Sequence, residues 1–217
     1  LNLFKYKIRN YFKKIDKNKN IIFLKKYFKE KNEGFYVDVG CFHPIRLSNT
    51  MFLHSKGWTG MNIDISKKSI DLFNISRPND INLNFGVGKD NCILEYFYNK
   101  EVFQSNTFDS SFAKNFLKEK NLKKKMIEVK TLNYLLKNHT KKKKLDLIDI
   151  DAEGFDLDVL KGINFDEYEI DLIMIEVHHY NSETTARSDK ILTLLTQKGF
   201  KLAYGKYPGN CIFRCEK

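Results

Sequence analysis

An α/β domain built on a mostly parallel sheet is the fold this sequence predicts, and three observations carry the prediction. Strand-like and helix-like segments alternate three times between residues 35 and 87, the pattern left by parallel strands joined through crossover helices. The candidate strands are short, nearly continuous apolar runs that end in acids or glycines, as expected of strands buried on both faces. A chain of 217 residues with 42% hydrophobic content is also long enough for one domain with a substantial core.

Taken in order, residues 1–33 are basic and aromatic. Leu3, Phe4, Ile8, Tyr11, Phe12 and Ile15 recur at steps of three and four, and Ile21, Phe23, Leu24, Tyr27 and Phe28 form a second such set, so two helices are expected. They are read as an N-terminal segment that caps the domain of residues 34–217; peripheral contact with a membrane surface or a partner is the alternative. Gly34 breaks that pattern. Residues 35–39 read as a strand closed by Gly40, 47–55 as a helix ended by Gly57, and 60–65 as a second strand. Ser66 is placed to cap a helix over 67–76, which Arg77-Pro78 ends, and 81–87 is a third strand.

The rhythm then breaks. Residues 92–98 alternate like one arm of a hairpin, 110–120 and 129–138 read as helical, and the lysine runs at 123–125 and 141–144 read as solvated loops. Strands return at 145–151 and 171–177, with a helical turn at 157–161 and a helix at 188–198. Strands at 200–204 and 210–215 close the chain as an antiparallel pair, giving seven main strands.

Composition narrows the function classes. No run approaches the ~18 to 20 apolar residues of a membrane span, and lysines and asparagines interrupt the start of the chain, so a cytoplasmic protein is expected. Cys41, Cys92, Cys211 and Cys215 are scattered, without the two-residue knuckle of a zinc site, and are expected to be reduced. The net charge of +11 suits an anionic partner. However, the lysines lie in dispersed runs and no Asn-Pro-Pro-Tyr motif for flipped bases is present. Nucleic acid is therefore not favoured as a partner.

In an open α/β sheet, ligands bind beyond the carboxyl ends of the strands. Those ends carry Asp38, Gly40 and His43, then Asp64, then Gly86 to Gly88, then Asp149, Asp151 and Glu153, then Glu176 and His178. Gly40 lets a ligand approach the backbone. A carboxylate at Asp64, 24 positions later, is placed to accept hydrogen bonds from ribose hydroxyls. A dinucleotide would call for several glycines to seat its pyrophosphate. Here the turn has one glycine, an acid and a proline, which favour the cationic groups of S-adenosylmethionine.

The segment Phe35-Tyr-Val-Asp-Val-Gly-Cys-Phe-His-Pro44, with Ser48-Asn49-Thr50, Gly57-Trp58 and Gly60-Met-Asn-Ile-Asp64, resembles the FkbM-type methyltransferases. The resemblance continues through Arg77-Pro78, Asp80-Ile-Asn-Leu83, Gly86-Val87, Ser105-Asn-Thr-Phe108, Ile150-Asp-Ala-Glu-Gly154 and Leu160-Lys161. It covers residues 34 to 180; Cys41 and Ala152 depart from its usual Ala and Val. It implies a class I, Rossmann-like methyltransferase fold and methyl transfer to oxygen, and bacterial relatives are often linked to surface glycans. A glycan or small-molecule acceptor follows, with a phosphorylated or nucleotide-linked form open.

By the same carry-over, Asp38, Gly40, Asp64 and Ile65 match cofactor-binding positions, and Gly86 and Val87 would lie beside the adenine. Ser48, Asn49 and Thr50 are expected to begin the following helix, cap it and reach the methionine carboxylate. A sugar hydroxyl needs a general base, and histidine suits neutral pH. His178 is the preferred base with Asp151 orienting it; His43 and Glu153 are further catalytic candidates, the latter with helix capping as its alternative. Asp149, Asp151, Glu153, Glu176 and His178 also resemble a Mg²⁺ site. Three ligands from one peptide strain that reading, so no metal ligand is assigned.

Overall fold

A computed structural model of the chain describes residues 18–99, 106–108, 110, 113, 122–177 and 182–216, the first three residues of the last stretch by backbone alone. Its centre is a seven-stranded sheet in the order β3-β2-β1-β7-β8-β10-β9. The strands are β1 (Phe35–Val39), β2 (Thr59–Ile63), β3 (Ile81–Leu83), β7 (Lys144–Ile150), β8 (Glu169–Val177), β9 (Phe200–Tyr204) and β10 (Gly209–Cys215). The first five run parallel, and β10 lies antiparallel between β8 and β9. The expected α/β architecture and its final antiparallel strands are therefore present. The order reverses at β1 and β7, the switch point where open sheets bind ligands.

Burial on both faces explains the apolar runs. Phe35, Val37 and Val39 enter one core layer with Ile63, Ile150 and Ile175. Tyr36 enters the other with Leu53, Trp58, Leu147 and Leu172. That second layer is closed by α1 (Lys19–Tyr27), whose N-cap Asn18 accepts a hydrogen bond from the Asn20 N–H. Leu24 and Phe28 are buried against the sheet, with the Phe28 ring 4.8 Å from Trp58. Tyr27 donates to Asp171 at 2.8 Å, and Lys31 pairs with the buried Asp146. Past the helix end, the Lys56 ammonium donates to the carbonyls of Phe28, Lys29 and Lys31 at 2.6 to 2.7 Å. One expected N-terminal helix thus caps the sheet; the helix expected over residues 3–15 lies outside the described residues.

Four local expectations change, the first being that the helix expected over 129–138 begins only at Leu132, because residues 129–131 still pair in a strand. The helix expected over 47–55 is the short α2 (Met51–Ser55), preceded by an irregular loop. The strand expected over 81–87 divides into β3 and β4 (Gly86–Gly88). At the break, Asn84 turns its amide to the carbonyls of Asp64 and Ile65, both at 2.8 Å, and β4 joins a second sheet, β4-β6-β5. In that sheet β5 (Cys92–Tyr98) pairs antiparallel with β6 (Lys123–Thr131), so Lys123 to Lys125 lie in a strand rather than a loop. Cross-strand partners account for this: Lys125 sits over the rings of Tyr96 and Tyr98, and Lys124 pairs with Glu95. The remaining helices are α3 (Lys67–Ser76), α4 (Leu132–His139), α5 (Asp156–Lys161) and α6 (Ser182–Gln197). Ser66 caps α3 as expected, accepting from the Ser69 N–H. The helix expected over 110–120 falls almost wholly outside the described residues. All four cysteines are free thiols.

Candidate active site

The turns after β1, β2 and β7 meet over a cleft that the second sheet covers. Gly40, with φ of +78°, adopts a conformation L side chains rarely take. Its N–H and that of Cys41 both donate to the Ile63 carbonyl, and the Asp151 N–H donates to the Val39 carbonyl. The three strand ends are thereby stitched into one rim.

Asp64 lines the cleft at the end of β2. One of its oxygens accepts the Phe42 N–H at 2.9 Å and the other the Ser66 N–H at 2.7 Å. Burial pushes its pKa up to about 6, against the opposing pull of those two bonds. Each oxygen keeps a further lone pair for a ligand. Ile65, Phe85 and Val87 supply an apolar floor beside it. Gly86 stands just behind Phe108, where an added β-carbon would come within 2.7 Å of the ring.

The opposite wall was not legible as a site in the sequence. Tyr96, Phe108 and Phe155 form an aromatic cluster with centroid separations of 5.1 and 5.2 Å, and all three line the cleft with Asn106 and Thr107. Thr107 exchanges two backbone hydrogen bonds with Phe97, and its hydroxyl donates to the Glu153 carbonyl at 2.6 Å. The alternation of residues 92–98 was the signal that Tyr96 faces inward.

At the other end of the cleft Asp151, Glu153 and Glu176 each bring a carboxylate oxygen within 4.8 Å of the others. Carboxylates this close share protons or hold a cation. Burial, then Asp151 and Glu176, push Glu153 up to about 9. Burial, then Glu176, raises Asp151 well above the usual range. Glu153 does not cap α5. Asp156 satisfies that turn instead, accepting from the N–H groups of Ala152 and Gly154, and leaves the Glu153 side chain to the cleft.

The other candidates are placed as follows. His178 lies outside the described residues. His43 uses Nδ1 to accept the N–H groups of Ile45 and Arg46, both at 3.1 Å. In the neutral ring its proton then sits on Nε2, which makes that atom a donor and not a base. Asp38 is buried behind the Gly40 turn, where burial raises its pKa and a hydrogen bond from Thr50 opposes the rise. Asn49 donates to Asp149 at 3.0 Å. Thr50 occupies the N-cap position of α2 but makes no capping bond; its hydroxyl donates to Asp38 at 2.6 Å. Ser48 and Thr50 are buried and both accept from Arg77. Neither faces the cleft, because a buried guanidinium has claimed them.

The sequence profile of the Methyltransferase FkbM domain matches residues 38–202. A solved structure of a TehB-like SAM-dependent methyltransferase from Corynebacterium glutamicum ATCC 13032 aligns with 99% of this chain and 97% of its own. The identity is 11% and the TM-score 0.45. No curated protein matches the chain.

Proposed function

The chain belongs to the FkbM methyltransferase domain family, and on that premise we propose that it moves a methyl group from S-adenosylmethionine to a hydroxyl oxygen of a sugar in a surface-glycan precursor. The observation that carries the cofactor reading is the cleft itself. It has one carboxylate, Asp64, at the β2 end, an apolar floor of Ile65, Phe85 and Val87, and an aromatic wall of Tyr96, Phe108 and Phe155. Adenine fits between floor and wall, and its ribose hydroxyls reach Asp64. The single-glycine turn at Gly40 has no nest for a pyrophosphate. Asp38 and Asp149, buried side by side near the ends of β1 and β7, supply negative charge on the side of that turn to which the amino acid tail is assigned.

In this reading the methyl group points to the cluster of Asp151, Glu153 and Glu176. Transfer is an in-line displacement, so the main demand is alignment of the acceptor oxygen with the sulfonium. A carboxylate of the cluster, ionised once the cationic donor is bound, takes the acceptor proton as the carbon–oxygen bond forms, with His178 the histidine candidate for the same task. In this reading the cluster faces the positive charge of the donor, with a divalent ion such as Mg²⁺ the less favoured occupant of the same three carboxylates. The glycan acceptor rests on family resemblance, and a nucleotide-linked sugar would place the reaction in the cytoplasm. Among the described residues no helix is long and apolar enough to cross a membrane.

Incubation with S-adenosylmethionine labelled in its methyl group, and a panel of nucleotide-linked sugars, tests the reaction. Label in a sugar methyl ether is the expected product; label recovered only in protein or nucleic acid would overturn the acceptor class.

A further inference from the structure

Arg77 is the least expected residue in the chain. It follows α3 and is 1% exposed, with its guanidinium 4.9 Å from the Phe73 ring centre. Its side-chain hydrogen bonds all come from the two terminal nitrogens. Nη1 donates to the Tyr36 hydroxyl at 3.0 Å and the Thr50 hydroxyl at 2.9 Å, with Asn62 Oδ1 a longer acceptor at 3.4 Å; Nη2 donates to the Pro44 carbonyl at 2.6 Å and the Ser48 hydroxyl at 2.9 Å. Nε finds no acceptor among the described residues.

Two buried acids lie nearby, and the guanidinium reaches each through a hydroxyl. Thr50 accepts from Arg77 and passes its own proton to Asp38 Oδ2 at 2.6 Å. Tyr36 accepts from Arg77 in the same way and donates to Asp80 Oδ2. A hydroxyl has one proton. With the arginine donating to its oxygen, each hydroxyl turns that proton to its nearest acceptor, which for Thr50 is Asp38 Oδ2 at 2.6 Å rather than Ser48 Oγ at 3.2 Å. The direction of both relays is therefore set by Arg77, and charge at one end strengthens the bond at the other.

The two relays differ in where they lead. Asp80 is turned to the Gly60 N–H and the Asn62 amide, inside the sheet. Asp38 sits behind the Gly40 turn beside Asp149, its partner in the β1–β7 register. We propose that Thr50, set by Arg77, is a positioning residue that holds Asp38 for the ammonium group of the methyl donor, whereas the matching Tyr36 relay serves the fold alone. This rests on the cofactor reading above. Fixing Oδ2 fixes the plane of the carboxylate, and so the direction of Oδ1.

The test compares two ligands and two variants by calorimetry on the whole chain. S-adenosylhomocysteine carries the amino acid tail; 5′-methylthioadenosine keeps adenine, ribose and sulfur but has no ammonium. Thr50→Val should weaken the first by about tenfold or more, a loss near 1.4 kcal/mol, and change the second by less than about twofold. Thr50→Ser should restore the affinity of the unsubstituted chain. Tyr36→Phe, which breaks the mirror relay, should lower the melting temperature without favouring either ligand. If Thr50→Val does not fold, Thr50→Cys, a weaker donor of similar volume, must show the same bias at smaller amplitude. Equal weakening of both ligands, or of neither, overturns the proposal. Failure of the unsubstituted chain to bind either ligand strikes the cofactor reading instead.

Discussion

Gly40 and Asp151 stand back to back: a β-carbon on residue 40 would come 2.0 Å from the Asp151 carbonyl oxygen. The turn read as the cofactor turn therefore rests directly on the turn that carries the acidic cluster. Any side chain at position 40 must push the two apart, and its φ of +78° adds backbone strain. Gly40→Ala is expected to cost more than the ~1 to 2 kcal/mol of placing an L side chain in the left-handed region, because backbone and not a flexible side chain is in the way. A thermal melt should show a fall of at least about 2 °C, together with loss of cofactor binding. An unchanged melt would mean that the two turns part freely.

Asp64 holds two backbone N–H groups before any ligand arrives. Asp64→Ala removes the proposed ribose contact and also leaves the Phe42 and Ser66 amides unpaired. Expected effects are a loss of cofactor affinity of roughly tenfold to a hundredfold and a stability cost of about 1 to 3 kcal/mol. Asp64→Asn keeps one acceptor oxygen and should fall between the two proteins. Paired calorimetry and denaturant titration separate the effects.

The raised carboxylates make binding pH-dependent. Burial lifts Asp64 to about 6, and burial with Asp151 and Glu176 lifts Glu153 to about 9. Above the ordinary carboxylate range the folded state holds protons that the unfolded chain has released. The contribution of these groups to stability therefore falls as pH rises through about 6 and on to about 9. A cationic ligand favours the ionised forms, so its affinity should rise across the same window and binding should release protons. Calorimetry at about pH 7 in two buffers of different ionisation enthalpy reads that release directly. Net proton uptake would contradict it, and prior dialysis against a chelator should change nothing.

Replacing Arg77 by Met keeps bulk and removes the charge. Tyr36, Ser48, Thr50 and the Pro44 carbonyl then lose their shared donor. Breaking one side of a buried charged network costs roughly 3 to 5 kcal/mol, so Arg77→Met should unfold at a markedly lower denaturant midpoint. A shift below about 1 kcal/mol would show the network to be dispensable.

The sheet was legible because its information is local. Phe35–Val39 and residues 145–151 are apolar runs that need no distant partner to be recognised, and each carries an acid near its end. Asp64 stood out by its place at a strand end 24 positions after Gly40, and the structure sets it on the cleft. Arg77 was not, since an Arg-Pro pair reads as a helix stop while its partners lie at residues 36, 44, 48 and 50. The same long-range reason hid the aromatic wall, because Tyr96 and Phe155 meet through Phe108 only once the second sheet has formed. Lys123 to Lys125 misled by charge: a lysine run resembles a solvated loop until strand pairing places Lys125 over two tyrosine rings.

Calorimetric titration of the chain with S-adenosylmethionine tests the central claim most directly. Saturable binding at one site, weakened by Asp64→Ala and accompanied by proton release, is the predicted result. No binding at millimolar cofactor, a free energy weaker than about −4 kcal/mol, would contradict it.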